Sequence, residues 1–303
     1  MAAKRSNTKN IIYRMSYFIL MVLEEITNII KAEKNPFELF YIGFVYATIG
    51  VFLSLWVFKE YSSMIMVFLT VLAAIPLVYN ALRLEEKKDM IMTNEISLLK
   101  EHAKVLAVIT LMFLGITIAF GFWYTLLPQN LVEVLFKTQT QTIAGINNYA
   151  AGNAVQATSL FKLILLNNIK VLTFCIFFSF IYGFGSIFIL AWNASVIGAA
   201  IGNFIRTRVQ TTAAEVGFGK IASYFQYFSL SLTRYMIHGI PEILAYIIAG
   251  LAGGIISMAI IRHDFGSKKF EKVLFDSSGL ILIALVILVI AAFIEVYITP
   301  ILF

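Results

Sequence analysis

Met236-Ile237-His238-Gly239-Ile240-Pro241-Glu242 interrupts a long apolar region with a histidine, a Gly-x-Pro and a carboxylate. Arg234 stands four residues before the histidine, and apolar residues flank the whole, from Tyr224 to Leu232 and from Ile243 to Ile261. On insertion scales a charged side chain at the bilayer centre costs about 2.5–3.5 kcal/mol, so such groups face protein or water rather than lipid. Pro241 has no N–H and disfavours helical geometry at Ile240, while Gly239 frees the backbone to turn. The stretch therefore predicts one helix ending near His238 and a second starting at Pro241, with Glu242 in its first turn. Structurally this is a cap between two membrane helices. Functionally, it sets Arg234, His238 and Glu242 together within the bilayer.

The composition around this stretch admits few classes. Of 303 residues, 60% are hydrophobic and 13% charged, and several apolar runs reach the roughly 20 residues that a helix needs to cross a bilayer. The fold class is all-α, a polytopic transmembrane helical bundle of about six to seven crossings with broken or half helices. A net charge of +6 suggests nucleic acid, but no basic cluster with interleaved aromatics supports that partner. The single cysteine, Cys175, lies in an apolar span, so neither a disulfide framework nor a thiolate site is expected. His102, His238 and His263 form no ligand pair at helical spacing; no metal and no cofactor are expected.

In chain order, residues 1–36 read as a cytoplasmic N-terminus with an interfacial helix. Ile11, Met15, Phe18, Val22, Ile26 and Ile29 recur at helical spacing, with Arg14, Glu25 and Lys31 on the other side. Residues 37–104 form a first transmembrane hairpin, Leu39–Phe58 and Ser62–Leu82, followed by the charged connector Arg83–Lys104, expected to be solvated. From 105 on lies the remaining membrane core, 105–303: a span Val105–Leu127, a polar loop Gln129–Lys162, and a span Ile169–Trp192. A short Ala/Gly-rich piece, Asn193–Phe204, reads as a half-helix. Then come crossings at Ile221–His238, Pro241–Ile261 and Gly279–Phe303.

Lysine and arginine orient the chain. Six precede the first span, five lie in 83–104, three in 206–220 and four in 262–272, all on one side by this topology. Only Lys59, Lys137, Lys162 and Lys170 fall on the other. The N-terminus is therefore expected in the cytoplasm and the C-terminus outside the cell membrane.

Further polar and small residues punctuate the core. Asn167-Asn168 precedes the fourth span, as a helix cap would. Gly183 and Gly185 permit close helix approach within it, as Gly250 and Gly253 do later. Asn193 with Gly198 suits a tightly packed half-helix. Glu295 lies in the last span ahead of Thr299-Pro300, where a lone carboxylate needs a partner or a proton. It is expected to approach the Arg234–Glu242 region.

Taken together, Asn167-Asn168, Gly183-Phe184-Gly185, Asn193 with Gly198, His238 to Glu242, Gly250 with Gly253, and Ile294-Glu295 to Thr299-Pro300 resemble the stage II sporulation protein M family. The resemblance covers roughly Ala103 to Phe303; Ala194 departs from a glycine frequent in the family. Ala32 to Pro36, Glu38-Leu39-Phe40 and Lys100-Glu101-His102 look like the archaeal branch. The resemblance implies a cell-membrane protein. Its sporulation members act with peptidoglycan-degrading partners, and bacterial relatives are associated with AAA-ATPase and von Willebrand A-domain proteins.

Three functions compete. A non-enzymatic scaffold or assembly subunit would sit in lipid with membrane-protein partners or as a homo-oligomer. A small-solute or ion permease would use Arg234, His238, Glu242 and Glu295. For an intramembrane hydrolase, Glu24-Glu25 resembles the start of the CAAX-type membrane endopeptidase signature, but Ile29 stands where that signature has an arginine.

Overall fold

The computed structural model describes residues 36–91, 95–152, 157–182, 185–211, 218–261 and 266–302, and no strand occurs among them. The helices are α1 (Phe37–Val57), α2 (Ser62–Ile91), α3 (Glu95–Leu126), α4 (Gln129–Leu135), α5 (Lys137–Gly152), α6 (Ala157–Tyr182), α7 (Ser186–Thr211), α8 (Phe218–Ile261), α9 (Lys268–Phe293) and α10 (Thr299–Leu302). A 3-10 turn, Lys59–Tyr61, joins α1 to α2, and a π-helical turn, Ile294–Ile298, joins α9 to α10. Among the described residues, seven helices are long and apolar enough to cross a membrane. This is the all-α polytopic bundle that the composition requires. The proposed interfacial helix before Pro36 lies outside the described residues.

The helix boundaries differ from the sequence expectation around Pro241. His238 to Glu242 does not break: α8 runs unbroken for 44 residues with Pro241 inside it. The reason is a comparison of costs. An interior proline forfeits one backbone hydrogen bond and costs about 3 kcal/mol. Ending one helix and starting another orphans four carbonyls and four N–H groups, each costing several kcal/mol where no water reaches. Continuation wins. The fifth and sixth crossings of the sequence reading are thus one helix, about 66 Å long at 1.5 Å per residue, well beyond a hydrocarbon core of about 30 Å.

The break falls earlier instead. The expected span Ile169–Trp192 is divided between α6 and α7, and Gly185 sits in the turn joining them. A β-carbon on Gly185 would strike the carbonyl oxygen of Phe178, so only glycine fits this turn. Gly183 lies outside the described residues. Asn193–Phe204 is therefore no half-helix but the middle of α7, a continuous helix of 26 residues. Likewise Gln129–Lys162 is helical in α4, α5 and the start of α6, not an open loop. Val132, Leu135 and Phe136 are buried there, and Phe136 packs on Phe120 and Tyr124 of α3. Gln139 links the cap to the bundle: its side chain donates to the Ser63 carbonyl at 3.2 Å and to Ser195 Oγ at 3.1 Å.

Glycines set the close crossings. β-Carbons at Gly43 and Gly115 would land on the backbone carbonyls of Met112 and Phe40, so α1 and α3 touch backbone to backbone. At Gly198 a β-carbon would meet Phe120 Cβ at 2.7 Å, and at Gly202 Tyr124 Cβ at 2.6 Å, which lays α7 parallel along α3. Gly250 meets Ser186, and Gly253 meets Ile176 and Ser179, fixing α8 against α6 and the α6–α7 turn.

This register moves one basic segment. Arg206 donates to the carbonyl of Tyr124 at 2.9 Å, so the end of α7 lies with the Pro128 end of α3. Arg206, Arg208 and Lys220 thereby leave the side assigned to them from sequence, and the excess becomes fifteen against seven, still favouring the same orientation.

At the opposite end, the Arg83–Lys104 connector continues α2 and α3 rather than standing free. Glu85 is 0% and His102 2% exposed, against the expectation of a solvated charge run. His102 Nδ1 donates to Glu85 Oε2 at 2.6 Å, while Lys88 reaches Glu85 at 2.7 Å and Glu101 at 3.2 Å. Two charges closing on each other make burial tolerable where one alone is not.

Two outcomes follow. Glu85→Ala leaves the buried His102 imidazole without this acceptor and takes one carboxylate from Lys88, lowering stability by about 1.5–3 kcal/mol as read from thermal unfolding in detergent; a loss below about 1 kcal/mol would contradict this burial. In a Cys175→Ala background, single cysteines at Lys137 and Arg208 will share one accessibility in intact cells, and those at Lys87 and Lys268 the other. External labelling of the first pair places the N-terminus inside; labelling of 208 with 87 would refute the register.

Candidate functional site

The unbroken α8 carries its polar residues on one stripe. His238, Glu242 and Tyr246 follow at four-residue spacing, so they line one face. That face meets α6, the π-helical turn and α10. The other face carries Met236, Gly239, Ile240 and Ile243, which with Thr110, Phe113, Leu114 and Ile197 line a shallow apolar pocket. Gly239 would meet nothing within 4 Å if it carried a β-carbon, so neither a turn nor a contact requires glycine there.

Tyr246 donates its hydroxyl hydrogen to Glu242 Oε1 at 2.8 Å. His238 Nδ1 lies 3.2 Å from Thr299 Oγ1, and that hydroxyl donates to the carbonyl of Ile294 at 3.1 Å. A threonine hydroxyl has one hydrogen, so towards His238 it accepts, and the imidazole carries its hydrogen on Nδ1. The π-helical turn has a local cause. Pro300 cannot donate to the carbonyl of Val296, and the helix widens so that the Thr299 N–H bonds to Ile294, five residues back.

The pairing of His238 with Thr299 fixes the register of the two antiparallel segments. One turn further along each brings Glu242 opposite Glu295. Their charges interact electrostatically, and Tyr246 senses both, together with Cys175 of α6. Both carboxylates are half-buried within the bundle. Glu295 therefore shares an electrostatic environment with Glu242, and Arg234 does not complete the trio. Its guanidinium lies 5.9 Å from the ring centroid of Phe204 on α7, and it reaches His238 only through its field. Among the described residues, no ion pair joins it to either glutamate.

The other sequence-selected residues divide. Asn167 is exposed on α6, while Asn168 is 4% exposed, and its Nδ2 has no hydrogen-bond partner. Both lie well inside α6, not at its cap. Asn193 donates to the carbonyl of Ile189 at 2.8 Å and stays within α7. Gly185, Gly198, Gly250 and Gly253 pack as described, away from the carboxylates; Pro241 is half-buried and Pro300 exposed. Tyr246 was missed because a tyrosine in an apolar run reads as core; its spacing of four from Glu242 was the available signal. Among the described residues, no three of His, Cys, Asp and Glu are placed to hold a metal ion.

Tyr246→Phe removes the donor to Glu242 and should lower thermal stability by about 0.6–2 kcal/mol. Combined with Glu242→Ala, the loss should fall short of the sum, because the two side chains share one contact. Additive losses would mean that the contact is not made in the folded protein.

A family model described as stage II sporulation protein M matches residues 108–300, from the middle of α3 through the π-helical turn to Pro300. An uncharacterized protein of Methanocaldococcus jannaschii is 28% identical over 200 residues, 65% of this chain and 95% of its own length. No solved structure matches. The matched region contains every helix of the polar cluster and its glycine crossings, and this membrane protein belongs to the stage II sporulation protein M family.

Proposed function

We propose that the chain is a non-enzymatic assembly subunit of the cell membrane, with its N-terminus in the cytoplasm and its C-terminus outside. The observation that carries this reading is the way the bundle closes. Glycines bring α1, α3 and α7, and α6 and α8, into backbone contact, which favours a rigid frame over a gated path. The outer helices α6 and α9 leave Phe177, Ile181, Leu282 and Val286 exposed, an apolar surface suited to lipid and to partner helices or a second copy. The family description adds sporulation as a setting for some relatives, not an activity for this chain.

A permease is the second reading, favoured by one observation: the half-buried Glu242 and Glu295 interact electrostatically inside the bundle. Nothing among the described residues favours a hydrolase, and Glu24 and Glu25 lie outside them.

Photo-crosslinking residues at Phe177 and Val286, activated in native membranes, separate the two. An assembly subunit gives discrete protein adducts, at twice its own mass for a homo-oligomer. Lipid adducts alone, with solute flux in proteoliposomes that Glu242→Gln abolishes in folded protein, would overturn the assembly reading in favour of the permease.

A further inference from the structure

We propose that Glu242 and Glu295, with Tyr246, Thr299 and Asn168, form a binding site for one small hard cation, a sodium ion in exchange with a proton. Three observations converge on it. The first is the register: the contact of His238 with Thr299 sets the two glutamates opposite each other one turn away. Two carboxylates side by side in a low dielectric repel, and both persist ionised only with a positive charge between them.

The second is what surrounds them. The groups facing the pair are Tyr246 and His238 on α8, Cys175 on α6, and Thr299 at the end of the π-helical turn. None is a fixed cation. Arg234, two turns from Glu242, is turned to Phe204. The available donors are carboxylate, hydroxyl and amide oxygens, the set that suits hard cations rather than transition metals.

The third is Asn168. It lies on the buried stripe of α6 with Leu172, Cys175 and Ser179. Cys175 interacts with Tyr246, Ser179 approaches Gly250, and the two helices run in the same direction. Two turns back from Cys175, Asn168 therefore stands level with His238 to Glu242, on the side of α6 that faces them. A buried amide nitrogen without a partner is costly, by roughly 1–3 kcal/mol, and marks a group that another species completes. Rotation about χ2 presents its carbonyl oxygen to a cation, or its N–H₂ to a water or carboxylate that the cation holds. The π-helical turn contributes by placing both Glu295 and Thr299 towards α8, a role such turns play at other sites.

This inference stands apart from the assembly reading: a frame can be locked by a bound ion, and a permease would carry it. The test uses the full chain in detergent, comparing sodium chloride with choline chloride. Dicyclohexylcarbodiimide, which modifies protonated carboxyls in apolar surroundings, should label Glu242 or Glu295, located by peptide mass spectrometry. Sodium should suppress that labelling several-fold and raise the unfolding temperature, both effects shrinking as pH falls and protons compete. Glu295→Gln should abolish both responses to sodium. If that variant does not fold, Asn168→Ala serves: labelling persists, while the sodium concentration needed for protection rises about ten- to hundred-fold. Equal labelling in sodium and choline at every pH, or no labelling of either glutamate, would overturn the site. So would sodium protection that is unchanged in Asn168→Ala. Neither flux nor cross-linking bears on these outcomes, so the inference can fail while the assembly reading holds, and the reverse.

Discussion

Lipid tails are as apolar as leucine, so burying apolar surface does not by itself drive membrane helices together; close contact must do so. The whole bundle rests on this constraint, and glycine meets it. Gly43 and Gly115 let α1 lie against α3, Gly198 and Gly202 let α7 lie along α3, and Gly250 and Gly253 seat α8 on α6. With these three approaches set, polar contacts tie the remaining segments to the frame. Arg206 reaches Tyr124, Gln139 reaches Ser195, and His238 reaches Thr299. The polar cluster thus stands on this packing together with the π-helical turn.

Much of this was legible in the sequence. Apolar length gave the fold class and the first three spans closely, because each run is bounded by charge or proline. Gly and Pro, however, are not punctuation of equal weight in a membrane. In water, Gly239 and Pro241 together are a good stop signal. Inside a bilayer the cost of orphaned backbone groups reverses the balance, and α8 passes through Pro241. Gly185 has no proline beside it, yet it turns the chain, since Phe178 leaves no space for a side chain there. Which glycine bends and which packs depends on the neighbouring helix, and a single sequence does not contain that neighbour.

The site was half legible for the same reason. Charged residues in apolar runs declare themselves, so Glu242, His238 and Glu295 were visible. Arg234 was visible too, but its apparent partner was chosen by proximity in sequence, whereas the fold offers it Phe204 instead. Tyr246 and Asn168 were hidden by ordinariness: one looked like core, the other like a cap. Glu85 and His102 were hidden by their company, since the charged residues around them suggested a solvated connector, and burial of this pair needs the α2–α3 hairpin to close.

The π-helical turn at Ile294–Ile298 has a consequence for how the polar pair is held. An extra residue in one turn is a slip of phase, and everything beyond it is rotated by about 100° relative to an uninterrupted α-helix. Thr299 meets His238 because of that slip. Rewinding the turn would carry the hydroxyl around the axis and away from the imidazole, without any change in the position of α9. The last few residues of the chain therefore act as a dial on the carboxylate cluster, set by whether Val296 is offered a donor. Pro300 withholds that donor, and so a ring closed on a backbone nitrogen near the end of the chain determines what a histidine sixty-one residues earlier can touch.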